Sequence, residues 1–479
     1  MSRIHAGSSL FVLMLAIILS AGAGAASQPP MTADRAAPRP LKDINPAPGV
    51  SSQAFSFVSI GAATYFTADD GTHGRELWRT DATADGTVMV RDINPAAANN
   101  VDYIFATADR LFFDADDGIH GRELWTSDGS EAGTVMVTDI LTGSAGSLAN
   151  TYNNLVALDD TVFFTADDGV HGMALWRSDG TAAGTVMVKA LSSGDWGILD
   201  LTAMGDTVFF SARTGAETAH PSRLWRTDGT AAGTVQVTDL RDPEELVVIG
   251  DRLFFAAYTA DNVRVVASTD GTSAGAAVEQ GLPIGVDGFP HATLLNVTDL
   301  LYMFVSSSAR FCSELRTPTW KADSCNLPGH YGPADFTEVG GDVFFGYRGD
   351  DRGAEIWRSA DGTGEPELAY DINPGEAGSQ PSRLMNVDNR LYFAADDGVH
   401  GSEIWRADPA TGQVNMIADI VPGAGSLKPY LIHNAGSAVY FLGEDMEHGQ
   451  ELWVVPGTIP PDGSHLTYLP LIQSASPAR

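Results

Sequence analysis

Cysteine is nearly missing from this chain: Cys312 and Cys325 are the only two in 479 residues. No C-x-x-C spacing exists, which argues against a dithiol redox centre. Basic residues are scarce as well. Lys and Arg number 28 against 61 Asp and Glu, a net charge of −33. A surface this negative repels phosphate backbones and disfavours nucleic-acid partners. It suits metal cations or basic partners, and it also serves as a plain solubility device on an exported protein. Long apolar runs are limited to one, Leu10 to Leu19, which is too short to span a bilayer comfortably. The chain also lacks a nucleophile elbow, a phosphate loop, a zinc-protease helix and an EF-hand.

The single apolar run belongs to a targeting segment. Arg3 precedes it, and the small residues "AGAGAAS" follow, with a cleavage site near Ala25 or Ala26. Residues 1–26 therefore read as a signal peptide, and the mature protein is expected to be secreted or held at the cell surface. No Cys stands at the cleavage site, so a lipid-anchored form is not expected. Residues 27–40 are rich in Pro and Ala and read as a linker. What the chain has in abundance is Gly, 51 residues, with 44% apolar and 19% charged residues. That composition describes a turn-rich, all-β protein.

One phrase recurs. "ADDGVHGMALWRSDGTAAGTVMV" runs from Ala166 to Val188, with near copies starting at Ala115, Ala68 and Ala395. Aligned on it, Trp78, Trp125, Trp176, Trp225, Trp357, Trp405 and Trp453 share one column. Two degenerate units fill the gap, with Ala267 and Arg316 in the Trp column. That makes nine units at the spacing of propeller blades, roughly 40–50 residues.

Each unit predicts four strands. In the third they are Asn154 to Asp159, Thr161 to Ala166, Met173 to Ser178 and Thr185 to Leu191. Asp-Gly pairs between β-branched and aromatic runs give the hairpin turns. Adjacent apolar residues such as Phe163 and Phe164 point to opposite faces, so both faces must be covered. A β-propeller of four-stranded antiparallel blades meets that need over residues 41–456, leaving 457–479 as a tail. A straight solenoid would leave two long edges to cap. The opening "LKDINP" (Leu41 to Pro46) matches the end of a fourth strand elsewhere, as in "VRDINP" (Val90 to Pro95). It is expected to complete the last unit as an outer strand; "LTYLPLI" (Leu466 to Ile472) is the alternative.

"LWRSDGT" (Leu175 to Thr181), "LWRTDGT" (Leu224 to Thr230) and Glu123-Leu124-Trp125 with Asp128-Gly129 carry a resemblance to the bacterial exported ELWxxDGT-repeat family. The resemblance covers nearly all of Leu41 to Val455. It implies an exported, propeller-like protein and brings no catalytic residues with it.

Three columns invite chemistry. His73, His120, His171, His400 and His448 stand beside carboxylates in "DDGxHG"-type loops, a donor set that suits divalent cations. Glu76, Glu123, Glu355, Glu403 and Glu451 invite comparison with glycosidase carboxylates. The Trp column follows. All three recur with the repeat, whereas a catalytic centre needs one asymmetric constellation. The expected roles are structural: Asp accepts backbone N–H groups, and Trp fills space between units. No cofactor is expected, with Ca²⁺ the one candidate left open. Cys312 and Cys325 are expected to pair as a disulfide, since the chain is exported and they fall opposite each other if "CSELRT" and "WKADSC" are adjacent strands.

Function is expected where the repeat breaks, on the loops of one rim. These carry Tyr103, Tyr152, Trp196, His330, Tyr331 and Tyr430 among Gly, Ser and Asn, a mixture suited to glycans or protein surfaces. The sequence thus predicts a binding or scaffolding module for extracellular protein or glycan ligands. The alternatives are a hydrolase or lyase acting on extracellular polymers from that rim, and a cation-stabilised structural repeat protein.

Overall fold

The computed structural model describes residues 38–95, 101–148, 155–191, 197–214, 221–281, 292–297, 300–305, 311–315, 334–349, 352–360, 366–436 and 438–456. These residues are all-β, with no helix. Eight four-stranded antiparallel sheets and one three-stranded sheet follow one another along the chain. We number them sheet 1 (residues 55–91), 2 (101–136), 3 (155–190), 4 (198–236), 5 (241–281), 6 (292–315), 7 (334–370) and 8 (382–416). Sheet 9 holds residues 430–456 and, as its fourth strand, Arg39–Lys42. This repeated, blade-like arrangement fits a β-propeller.

Sheet 3 shows how the recurring phrase folds. Its strands are Leu155–Leu158, Thr161–Asp167, Met173–Ser178 and Val186–Ala190, each end within one residue of the sequence reading. The loop "DGTAAGT" that joins the last two is closed by its own side chains. Asp179 Oδ1 accepts the Thr181 N–H at 2.9 Å and its hydroxyl at 2.7 Å. That hydroxyl accepts the Gly184 N–H at 3.0 Å. The Asp179 carboxylate then lies over Gly184, where a Cβ would sit 2.1 Å from Oδ1. Space, not dihedral angle, demands glycine here. Gly184→Ala is expected to displace Asp179 and lower the unfolding midpoint by roughly 3–6 °C, read by calorimetry. An unchanged midpoint would show that the loop adds nothing to stability.

Where side chains are described, apolar residues of one sheet pack against those of the next. Leu41, Leu442 and Val454 of sheet 9 pack with Phe66 and Trp78 of sheet 1. Tyr65 and Leu77 of sheet 1 pack with Phe113 and Trp125 of sheet 2. Tyr392 and Ile404 of sheet 8 pack with Phe441 and Trp453 of sheet 9. The Trp column is therefore filler between sheets, with Trp78, Trp125, Trp176, Trp225, Trp405 and Trp453 resting on the preceding sheet. Several indoles also donate to a carbonyl of their own hairpin, as Trp78 does to Ala68 O at 3.1 Å and Trp405 to Ala395 O at 3.0 Å.

A basic residue on the outer strand reinforces three of these contacts. Lys42 Nζ, Arg91 Nη1 and Lys189 Nζ donate to Thr87 O, Thr134 O and Thr234 O of the next sheet, at 2.7, 2.5 and 2.7 Å. Each also lies over the next sheet's indole, Trp78, Trp125 or Trp225, at 5.6–5.9 Å. A cation so placed gains from the ring quadrupole and satisfies an end-of-loop carbonyl.

The strand Arg39–Lys42 pairs antiparallel with Gly449–Pro456, Arg39 opposite Val454 and Lys42 opposite Leu452. The first strand thus completes the last sheet, starting two residues inside the segment read as linker. Leu466 to Ile472 lies outside the described residues. In sheet 5, Ala267 faces Phe255 as Trp78 faces Phe66, so it does hold the Trp column. In sheet 6 the described strands stop one residue short of Arg316. Leu315 opposes Leu301, and Glu314 opposes Tyr302. The register is irregular between Tyr302 and Phe304. Arg316 itself lies outside the described residues.

The first strands of consecutive sheets lie beside one another, so they form a common inner edge. Near the start of this strand the register shifts in sheets 1, 2, 4, 5, 7, 8 and 9. Ser56, Asp200, Glu245, Asp335, Arg383 and Leu431 take the equivalent bulge position, each with φ between 49° and 59°. A bulge re-aims its side chain, and a non-glycine residue in the left-handed region stores strain of about 1–2 kcal/mol.

Candidate binding site

The His column proves to be loop architecture. Nδ1 of His73, His120, His171, His400 and His448 lies 2.7–2.8 Å from an Oδ2 of Asp70, Asp117, Asp168, Asp397 and Asp445. In all five loops the other carboxylate oxygen accepts two backbone N–H groups of the turn, as Asp168 Oδ1 does from Val170 and His171. Burial works against the Asp168 charge, but the His171 amide and imidazole and the Val170 amide overcome it and hold the carboxyl at about 2. Among the described residues, no group of three or more His, Cys, Asp or Glu side chains could hold a metal ion.

The Glu column is buried and binds backbone. Glu123 accepts from the N–H groups of Ile140, Leu141 and Ser147, at 3.3, 3.2 and 2.9 Å, and from the Ser147 hydroxyl. Glu355 repeats this with Ile372, Asn373 and Ser379. Glu451 does so across the chain ends, with Ile44 and Ser52. Each carboxylate thereby ties down the crossover into the following sheet.

Burial pushes Glu403 and Glu451 up to about 7 against the pull of the bonds they accept. Between the ordinary 4.5 and that value the folded chain holds protons the unfolded chain releases. Stability therefore falls as pH rises through this window. His73, His120, His400 and His448, raised by their Asp partners, act in the same direction. Their contribution is present below the ordinary His value and is lost as pH rises through the raised one. Buried His433, pushed down to about 4, opposes this below 6.5. The unfolding midpoint is expected to be higher at about pH 5.5 than at pH 8, by roughly 5 °C. The double variant Glu403→Gln, Glu451→Gln should flatten that difference in a calorimetric pH series. The reverse pH order would refute the assignment.

Beside the repeated columns, the described residues hold a cluster that does not repeat, at the inner edge of sheets 1 and 2. Phe55 opens the first strand of sheet 1, and its ring meets Tyr103 edge-on at 5.7 Å. The Arg75 guanidinium lies over the Phe55 ring at 4.8 Å. It donates to Asp102 Oδ1 at 3.0 Å and to Gln53 Oε1 at 3.1 Å. Arg122 reaches the other oxygen of Asp102 at 3.0 Å and also pairs with Asp114. Burial works against the Arg122 charge, and the carboxylates of Asp114 and Asp102 outweigh it, so its pKa is raised. Two guanidinium and two carboxylate groups thus compensate one another around an aromatic pair.

Of the rim residues expected from sequence, two are described. Tyr103 is 37% exposed and belongs to this cluster; Tyr430 is 40% exposed and lies under the Arg383 guanidinium at 4.3 Å. The structure does not bring the two together in any contact. Tyr152, Trp196, His330 and Tyr331 lie outside the described residues. So does Cys325, and Cys312 is described only as backbone in the strand Phe311–Leu315. Sequence reasoning missed Phe55, Arg75, Asp102, Arg122 and Asp114. A signal was available at Asp114: the second strand reads "FFDAD" where its neighbours read "YFTAD" and "FFTAD".

Asp200, at the bulge position of sheet 4, is exposed but walled in by the surrounding chain. That crowding, with Glu244 adding its charge, pushes the carboxyl up to about 6. Glu244 itself pairs with Arg264 at 2.8 Å.

No protein-family model and no curated protein matches the chain. Solved structures resemble it distantly. A computationally designed Ika8 protein is 12% identical, with 87% of this chain and 99% of that chain covered and a TM-score of 0.43. Puromycin hydrolase is 13% identical over 86% of this chain and 62% of its own, with a TM-score of 0.38. A prolyl endopeptidase structure is 11% identical over 84% and 54%, with a TM-score of 0.41. This chain spans little more than half the length of the two hydrolases, and likenesses this distant assign no activity.

Proposed function

We propose that the chain is an exported, nine-bladed propeller that binds or scaffolds extracellular protein or glycan ligands. Packing of each sheet on the next and the pairing of the first strand with the last sheet support ring closure. The segment Leu10 to Leu19 with its flanks, and the resemblance to the ELWxxDGT repeats, support export. One observation carries the functional reading. Among the described residues, the His, Glu and Asp columns are committed to loop and crossover bonds, and a non-repeating cluster of charged and aromatic groups gathers at the inner edge of sheets 1 and 2, around exposed Tyr103. Aromatic rings with fixed polar groups suit recognition.

The test is a screen of the purified chain against extracellular proteins and an oligosaccharide array, with polymer hydrolysis followed in parallel. Saturable binding without turnover is expected. Release of reducing ends or peptide fragments would instead establish the enzyme. Fractionation of cells expressing a tagged chain should place it outside the cytoplasm; retention inside would remove the export part of the reading.

A further inference from the structure

We infer that the inner edge of sheets 1 and 2 is a site for an uncharged saccharide, with Tyr103 as its exposed platform. The inference rests on the binding-module reading above and names the ligand class of that site. Asymmetry is the first argument. Counted along the second strand from its hairpin, one position holds Thr67, Ser211, Ala256, Gly346 or Leu442 in other sheets. Only in sheet 2, among the described sheets, is it an acid, Asp114, and that acid meets Arg122. Counted back from the same hairpin, Tyr103 stands in the first strand of sheet 2 where other sheets place Ser56, Asp200 or Arg383. Asp114 and Tyr103 are linked through Arg122, Asp102, Arg75 and Phe55.

Geometry and charge then choose the ligand. Phe55 holds Tyr103 edge-on and is itself capped by Arg75, so the tyrosine ring is fixed while part of it stays open to solvent. An aromatic ring held in place offers contact area with little loss of side-chain freedom. Around it stand donors from Arg75 and Arg122 and acceptors from Asp102 and Gln53, oriented by their mutual bonds. Their charges cancel within the cluster, which suits hydroxyl groups rather than ions. The chain's net charge of −33 works against sulfated or uronic-acid polymers.

The experiment is calorimetric titration of the full chain with neutral hexasaccharides of glucose, mannose, galactose and N-acetylglucosamine, with sulfated and uronic-acid oligomers as the anionic arm. At least one neutral oligomer should bind, with an affinity that changes little between roughly 50 and 500 mM salt. Tyr103→Ala should weaken it roughly tenfold or more, and Tyr103→Phe should retain most of it. Circular dichroism confirms that each variant is folded. Preference for the anionic arm, or full affinity in folded Tyr103→Ala, would overturn the site. Capture of a protein partner with no saccharide bound would overturn the ligand class and leave the binding module standing. Absence of any ligand of either kind would overturn both.

Discussion

Glu123→Ala is expected to lower the unfolding midpoint by roughly 5–10 °C, the largest effect of any single side-chain truncation on the sheet crossovers. Glu123 is fully buried and takes up three backbone N–H groups and one hydroxyl between sheets 2 and 3. Truncation leaves those donors without a partner, and each orphaned donor costs about 1–3 kcal/mol. Relaxation of the crossover and entry of water return part of this, so a net loss of about 3–5 kcal/mol is expected. Glu123→Gln keeps one acceptor oxygen and loses the other, and should fall between the two. Calorimetry with hydrogen exchange of the segment after Val137 checks the account. Increased exchange confined to that crossover is expected, and unchanged exchange there would show that the carboxylate does not hold it.

Leu41→Asp should be more damaging still. Leu41 is 1% exposed, and it packs with Leu442, Val454, Phe66 and Trp78, where the first strand meets the last sheet and sheet 1. A carboxylate there loses the buried leucine surface and must either be protonated or pull the strand into water. Once the strand leaves, Lys42 no longer caps Thr87 O, and Glu451 loses the Ile44 N–H. Sheet 9 then ends on the bare edge of Gly449–Pro456. We expect loss of a single cooperative transition and concentration-dependent association in size-exclusion chromatography, because an open strand edge pairs readily with other chains. A synthetic peptide covering residues 38–48, added to a chain lacking them, should restore the monomer. A monomeric, cooperatively unfolding Leu41→Asp protein would mean that the strand is dispensable.

The sequence revealed more of the frame than of the site, for a physical reason. Strands two and three of most units pair without a break in register, and glycine-dependent turns join strands two, three and four. Their ends in sheet 3, the place of Trp78 between sheets and the pairing of the first strand were therefore readable. The inner strand does not alternate. Its bulge shifts the register by one residue, so Phe55, Asp102 and Tyr103 no longer follow a period of two. The partners that complete the cluster, Arg75, Arg122 and Asp114, come from other strands. Their meeting depends on how sheets 1 and 2 stack, which no local pattern encodes.

The antiparallel seam in sheet 9 also sets how the molecule bears load. Arg39 stands opposite Val454, so the incoming and outgoing segments leave sheet 9 from the same end. Tension applied between those two segments acts on the seam as on a zipper. It loads the first inter-strand bond, then the next, and never shares force among them. Tension applied to the Arg39 end against a point in a distant sheet must instead drag Leu41 out of its packing as a unit. A protein tethered by both ends at a surface would therefore open at sheet 9 first and leave the other eight sheets folded.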